Sequence, residues 1–153
     1  MGQRLEGKRA VITGGGRGIG KAIALSYVRE GAQCVVTSRK LDDLEATSEE
    51  GPEGTIKPFV CDVSNDESVA AMAEFVNDEF GGVDIVVNNA GIHAAGRFLD
   101  IDPATYTRLY EVNVVGIVRV SQAFLGGMIE RGRGSIVNIA STAGLFESPG
   151  QAP

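Results

Sequence analysis

The chain has 153 residues, 43% of them apolar, with 20 acidic and 14 basic residues and a net charge of −6. That length suffices for one domain burying roughly two-thirds of its unfolded surface, and the acidic balance excludes a general nucleic-acid binder, which needs a basic face. The 21 glycines gather in loops without a fixed period, which excludes collagen-like and solenoid architectures.

Short apolar runs alternate with segments of helical period, the pattern of a parallel sheet with crossover helices. The start, MGQRLEGKRAVITGGG, lacks the apolar core of a signal peptide. No apolar run approaches the roughly 20 residues that span a bilayer, so a cytoplasmic protein with no membrane partner is expected. In chain order, the first strand is expected at Arg9–Thr13 and the first helix at Gly18–Glu30, stopped by Gly31. A second strand at Gln33–Thr37 precedes a helix at Leu41–Glu50 that ends at Gly51-Pro52. The third strand, Ile56–Cys61, contains Pro58, which cannot donate to a ladder and belongs on a sheet edge. That suits a doubly wound order with the third strand outermost.

Ser64-Asn65-Asp66-Glu67 reads as a capping box opening a helix that runs to about Phe80 and stops at Gly81-Gly82. After a fourth strand at Asp84–Asn88, Asp102-Pro103 pairs an N-cap with a first-turn proline and opens the longest helix, to about Arg131. Gly126-Gly127 inside it is expected to kink or end that helix. A fifth strand follows at Ser135–Ile139. The expected fold is one α/β domain over residues 1–153, a Rossmann-type doubly wound parallel sheet with five strands. Cys34 and Cys61, each beside valine in a strand, lack CxxC spacing and are expected as buried free thiols, with no metal site.

VITGGGRGIGKA joins the first strand to the first helix. A glycine turn leading into a helix N-terminus makes an anion site from orphan amides and the helix dipole. The dinucleotide fingerprint GxGxxG fails, because Gly14-x-Gly16 requires glycine or alanine at Ile19. The phosphate loop GxxxxGK[ST] fails at Ala22, where a metal-holding hydroxyl is needed. Thr-Gly-x-x-x-Gly-x-Gly fits, through Thr13, Gly14, Gly18 and Gly20; a tight strand–helix turn with no ligand is the alternative.

With that spacing the chain resembles the short-chain dehydrogenase/reductase family. The likeness continues through Asp62-Val63, Asn88-Asn89-Ala90-Gly91, Asn113 in EVNVVG and IVNIASTAG at the fifth strand. It implies a nicotinamide-dinucleotide oxidoreductase acting on a small-molecule ketone or secondary alcohol, and a homo-oligomer, dimer or tetramer, in the full-length form. Cofactor contacts are then expected from Gly14, Gly16, Arg17, Gly18, Ile19 and Gly20. Asp62 would hydrogen-bond the adenine, Val63 would offer backbone, and Asn89, Ala90 and Gly91 would pack near the adenosine ribose.

In nucleotide-binding βαβ units an acid about 20 residues beyond the glycine turn accepts from the ribose and favours NAD. Here Ser38 takes that place and Arg39 follows. Both can donate to a 2′-phosphate, the arginine with its planar fork. Arg17, in the glycine turn, is a second cation, and the resemblance implies a basic residue there in NADP users. NADP is expected over NAD.

Hydride transfer to a carbonyl needs a proton donor within hydrogen-bond reach. By resemblance the donor is the tyrosine of a Tyr-x-x-x-Lys pair, helped by a serine that fixes the carbonyl oxygen and an asparagine that supports a bound water. These would be Ser141 and Asn113; their plain readings are a strand-end turn serine and a satisfied core amide. The tyrosines are Tyr27, Tyr106 and Tyr110, and no lysine follows Lys57, so the pair is absent from these 153 residues. Counted from Ser141, the family's tyrosine falls just past Pro153. A chain cut short, and inactive alone, is therefore expected, with its fifth strand left as an edge. His93, in AGIHAAG, is expected to be a solvated loop residue. Two other readings stay open: a noncatalytic dinucleotide-binding module, and a regulatory or interaction protein.

Overall fold

The structure, a computed structural model, describes residues 3–142. The tail of the IASTAG motif beyond Thr142 and the end at Pro153 lie outside the described residues. The elements follow in alternation: β1 Arg9–Thr13, α1 Gly18–Arg29, β2 Gln33–Ser38, α2 Leu41–Glu50, β3 Ile56–Val60, α3 Asp66–Phe80 and β4 Ile85–Asn88. A 3-10 turn at Phe98–Asp100 leads to α4 Pro103–Tyr110, a π-helical turn Glu111–Val115, α5 Gly116–Glu130 and β5 Ser135–Asn138. All strands pair in parallel in the order β3-β2-β1-β4-β5. The chain winds outward from β1 through β2 to β3, then returns to lay β4 on the other side of β1. The C-terminal ends of β1 and β4 thus form the topological switch point, where open α/β sheets bind ligands.

Alternation along the strands divides the interior into two layers. Ala10, Ile12, Cys34, Val36 and Val87 face Ala24 and Val28 of α1 and Leu44 of α2. Val11, Val35 and Val86 face Val69, Met72 and Val76 of α3, with Val120, Phe124 and Met128 of α5. Each of the larger side chains among them, valine upward, contributes about 1.5–3 kcal/mol by leaving water. Cys34 and Cys61 are buried free thiols, as expected.

β3 is an outer strand, as Pro58 requires. The Thr55 carbonyl accepts from Cys34 N and Cys61 N donates to the Ser38 carbonyl, so the odd-numbered residues of β3 address β2. Pro58 faces outward, where no ladder bond is lost. At the opposite rim β5 pairs only with β4, and three of its four residues are exposed.

Two expected helix features shift. The cap of α3 is Asn65, whose Oδ1 accepts from Ser68 N at 2.7 Å; Ser64 is instead drawn to Asp62, donating to its Oδ1 from both N (2.9 Å) and Oγ (2.6 Å). A neighbouring carboxylate outcompetes the capping role. In the long helix Gly126-Gly127 does not end the run: α5 continues through it to Glu130, with Phe124 and Met128 on either side buried in the core. The irregularity falls at the π turn around Asn113, and such bulges mark a side chain drawn out of helical register.

Against the expectation of no membrane-length apolar run, Pro103–Glu130 is 28 residues long and apolar enough, by length and composition, to cross a bilayer. The same run supplies Val112, Val120, Phe124 and Met128 to the core.

Candidate functional site

A cleft of about 340 Å³ opens over the C-terminal ends of β1 to β4. Its walls are the glycine turn (Gly14, Gly16, Arg17, Gly18, Ile19), the end of β2 (Thr37 to Lys40), Cys61 to Val63 after β3, and Asn89 to Ile92 after β4. Asp43, Arg108 and Val112 complete it. Every residue expected to touch a cofactor lines this one space except Gly20. Asn113 and Ser141 do not line it either.

Gly20 acts from beneath the turn. A Cβ there would lie 2.3 Å from the Gly14 carbonyl oxygen, and one at Gly14 would meet Asn89 Nδ2 at 2.8 Å. These glycines let the turn and the strand after it approach each other, as well as baring backbone to the cleft. The turn is also tied sideways, since Gly15 N donates to the Thr37 carbonyl at 3.1 Å and Thr47 Oγ1 donates to that of Gly16 at 3.2 Å.

Thr13 joins the two strands at the switch point. Its Oγ1 donates to the Val87 carbonyl and accepts from Asn89 N at 3.0 Å and Ala90 N at 2.9 Å. Asn89 Nδ2 returns bonds to the Thr13 and Gly14 carbonyls. Thr13 stood in the sequence motif with no role assigned. The residue is only 1% exposed, so its hydroxyl must bond inside the protein.

The N-terminus of α1 is the chemically open feature. Arg17 occupies its N-cap position with extended backbone, no side chain caps it, and its first turn carries no acid. By contrast, α3 has both a capping side chain and Asp66 and Glu67 in its first turn. The α1 amides and dipole thus face the cleft with no acid of the helix's own first turn to meet them.

At the end of β2, Ser38 Oγ accepts from Lys40 N (3.3 Å) and donates to the Lys40 carbonyl (3.2 Å). This turns Arg39 and Lys40 along the cleft rim. Arg39 is exposed and makes no ion pair among the described residues. Lys40 and Asp43 were not singled out by sequence; their register after the strand became visible only with the turn.

Asp62 carries the most perturbed carboxyl of the cleft. Burial works against its charge, yet hydrogen bonds from the Ser64 hydroxyl and amide, and the fields of Arg108 and Arg39, hold it below the ordinary aspartate range. Burial raises the Cys61 thiol beside it, keeping that wall neutral.

Asn113 is placed by the π turn. Its Oδ1 accepts from Ile92 N at 2.8 Å and its Nδ2 donates to the Ile92 carbonyl at 2.9 Å, so the amide fastens the segment after β4. Ser141 is exposed and lies beyond the end of β5. Next to that strand, Asn88 Nδ2 donates to Asn138 Oδ1 and Ser121 Oγ, while the buried Asn88 Oδ1 has no partner among the described residues. His93 is exposed and outside the cleft. Among the described residues no cluster of three potential metal ligands occurs.

Comparison with known proteins agrees with this fold. The family model described as short chain dehydrogenase matches residues 8–153. The chain is similar to the uncharacterized oxidoreductase YvrD of Bacillus subtilis, 40% identical over 100% of this chain and 58% of that protein. It is likewise 40% identical to 3-oxoacyl-(acyl-carrier-protein) reductase FabG of Vibrio cholerae, over 97% of this chain and 60% of that one. Among solved structures, a short-chain type dehydrogenase/reductase from Mycobacterium marinum superposes with a TM-score of 0.91 at 36% identity, covering 97% of this chain and 62% of that one. A metagenomic short-chain oxidoreductase in complex with NADP superposes with a TM-score of 0.88 at 37% identity, covering 97% of this chain and 68% of that one. The chain thus spans 58% to 60% of the length of these two curated relatives.

Proposed function

The chain belongs to the short-chain dehydrogenase family, and on that premise we propose that its cleft binds NADP for hydride transfer between nicotinamide and a small ketone or secondary alcohol. The observation that carries this is the uncapped, acid-free N-terminus of α1 facing a cleft rimmed by Arg17, Arg39 and Lys40. When bound, the dinucleotide supplies or accepts the hydride.

The residues present fit that group. Orphan amides of the glycine turn would hold its pyrophosphate, and Ser38, Arg39 and Arg17 its 2′-phosphate. Of the acids in the cleft, Asp62 is already engaged by Ser64 and Arg108, and Asp43 lies in the first turn of α2, where that helix's dipole favours it. Asp62, ionised, would accept from the adenine amine, with Val63 and the 89–91 segment walling the adenosine. For the substrate, Ser141 would donate to the carbonyl oxygen. Asn113 would act by keeping the 91–92 backbone in place and supporting a water of the proton relay.

The homologous whole protein is proposed to be a cytoplasmic homo-oligomer. For these 153 residues, which contain no Tyr-x-x-x-Lys pair, we propose dinucleotide binding without turnover. Calorimetric titration tests the cofactor assignment. NADP is expected to bind more than about tenfold tighter than NAD, a difference near 1.4 kcal/mol. Equal affinity for both, or no heat with either, overturns it.

A further inference from the structure

Arg108 lies in no sequence motif, yet it reaches from α4 into the wall of the cleft. Its Nη1 donates to Ser64 Oγ at 2.7 Å, and Ser64 Oγ donates onward to Asp62 Oδ1 at 2.6 Å. Its Nη2 approaches Asp62 Oδ2 at 3.5 Å. Asp62 N is fixed as well, donating to Ser68 Oγ at 3.0 Å. Both carboxylate oxygens therefore have donors, one set from the turn after β3 and the other from a helix more than forty residues away in sequence.

The charges around Asp62 make this arrangement consequential. Two guanidinium groups act on the carboxylate, Arg108 from α4 and Arg39 from the end of β2. Lys40 and Asp43 line the same cleft on the β2–α2 side, with Arg17 on the glycine turn and the neutral Cys61 thiol next in chain. Only Arg108 is committed to Asp62 by contact; Arg39 has no ion pair among the described residues. Without Arg108, the carboxylate's remaining cation is Arg39, and a guanidinium fork closed on a carboxylate is withdrawn from a phosphate.

We infer that Arg108 is a positioning residue of the adenosine end: it fixes Asp62 as an acceptor at the cleft wall and, by matching its charge, leaves Arg39 to the dinucleotide's 2′-phosphate. The inference rests on the dinucleotide reading above. It makes cofactor preference depend on a residue of α4 that need not touch the phosphate.

The test uses the full chain with Arg108→Ala, and Arg108→Lys and Arg108→Gln as milder variants should the alanine form fold poorly. Calorimetry with NADP and NAD is paired with an NMR titration of the Asp62 carboxyl. Arg108→Ala is expected to weaken NADP about three- to tenfold, in keeping with a partly exposed charged hydrogen bond, and to weaken NAD less. Lysine recovers part of the loss and glutamine none of the charge-dependent part. The Asp62 midpoint rises, and the acid limb of NADP affinity moves to higher pH with it. A merely structural role would weaken both dinucleotides alike and leave that limb where it was, and this result, or unchanged NADP affinity, overturns the inference. Absence of binding by the unaltered chain overturns the dinucleotide reading instead. In that event the Asp62 midpoint, compared in an Arg39→Ala background where no second guanidinium can take its place, still decides whether Arg108 holds the carboxylate: a rise on adding Arg108→Ala upholds the coupling and no change sinks it.

Discussion

Asn113 grips the backbone of Ile92 from both sides, accepting from its amide at 2.8 Å and donating to its carbonyl at 2.9 Å. A side-chain amide offers a donor and an acceptor a few ångströms apart, which matches the two polar groups of one residue in an extended segment. The π turn brings Asn113 to that position, and the segment it secures leads directly from Asn89 and Ala90 along the cleft.

Replacing Asn113 with alanine should therefore leave two part-buried backbone groups without partners. The expected loss is about 1–3 kcal/mol of stability, read as a lower midpoint in urea with the slope unchanged. An unshifted midpoint would show that Ile92 finds water or other partners.

Two glycines should respond oppositely to alanine. Gly20→Ala drives a methyl to within 2.3 Å of the Gly14 carbonyl oxygen, so the glycine turn must move. Stability is expected to fall by about 1–3 kcal/mol, together with dinucleotide affinity. Gly126, exposed in α5 with nothing within 4 Å of an added Cβ, should gain about 1 kcal/mol from the same substitution. Thermal unfolding of the two variants side by side checks both signs.

Burial pushes the Cys34 thiol up to about 12. An unfolded cysteine titrates near 8.5, so the native state favours the neutral thiol. That contribution is fully present below the unfolded value and is lost as pH rises toward the folded one. Neither Cys34 nor the buried Cys61 should react with a thiol reagent at pH 8 in the folded chain, while both should react at once in denaturant. Rapid native labelling would refute the buried-thiol description.

Asp62 gives the acid counterpart. Its folded pKa lies below the ordinary value, near 3.9 in an unfolded chain. The stabilisation it supplies is therefore complete above about pH 4 and disappears as pH falls through the lower folded value. Asp62→Asn should lower stability in the neutral region, where that contribution is complete, and flatten the acid side of the stability–pH curve. A variant whose curve parallels the parent below pH 4 would contradict this assignment.

Along the outside of α4 and α5, Tyr110, Val114, Val118, Leu125 and Ile129 are all exposed. They recur at helical spacing and form one apolar stripe, larger than isolated surface residues need. The chain is expected to self-associate through this stripe and the exposed β5, detectable by light scattering at rising concentration. Ile129→Asp should reduce the association, and a parent that stays monomeric throughout would remove the basis for it.

The inner strands were legible because they are covered on both faces and read as largely apolar runs such as RAVIT and QCVVT. Pro58 even indicated which strand lies outermost. Helix ends were less legible where side chains compete. Ser64 had the right residue type and spacing for a cap, and only the nearby Asp62 carboxylate redirected it. Likewise Gly126-Gly127 was the weak point of the long helix by propensity, but the helix runs on through it, and the irregular turn is the one whose Asn113 is bonded twice to Ile92. Most of the cleft followed from motifs at strand ends. Arg108 and Thr13 did not, because their importance comes from partners distant in the chain, which no local pattern records.

The outward-facing proline on β3 gives the sheet a direction of growth. That rim lacks a donor at Pro58, whereas Ile136 and Asn138 of β5 turn their amides outward on the other rim. A further strand, from the same polypeptide or another, would forfeit a ladder bond at β3 and none at β5, so enlargement of this sheet is favoured on one side.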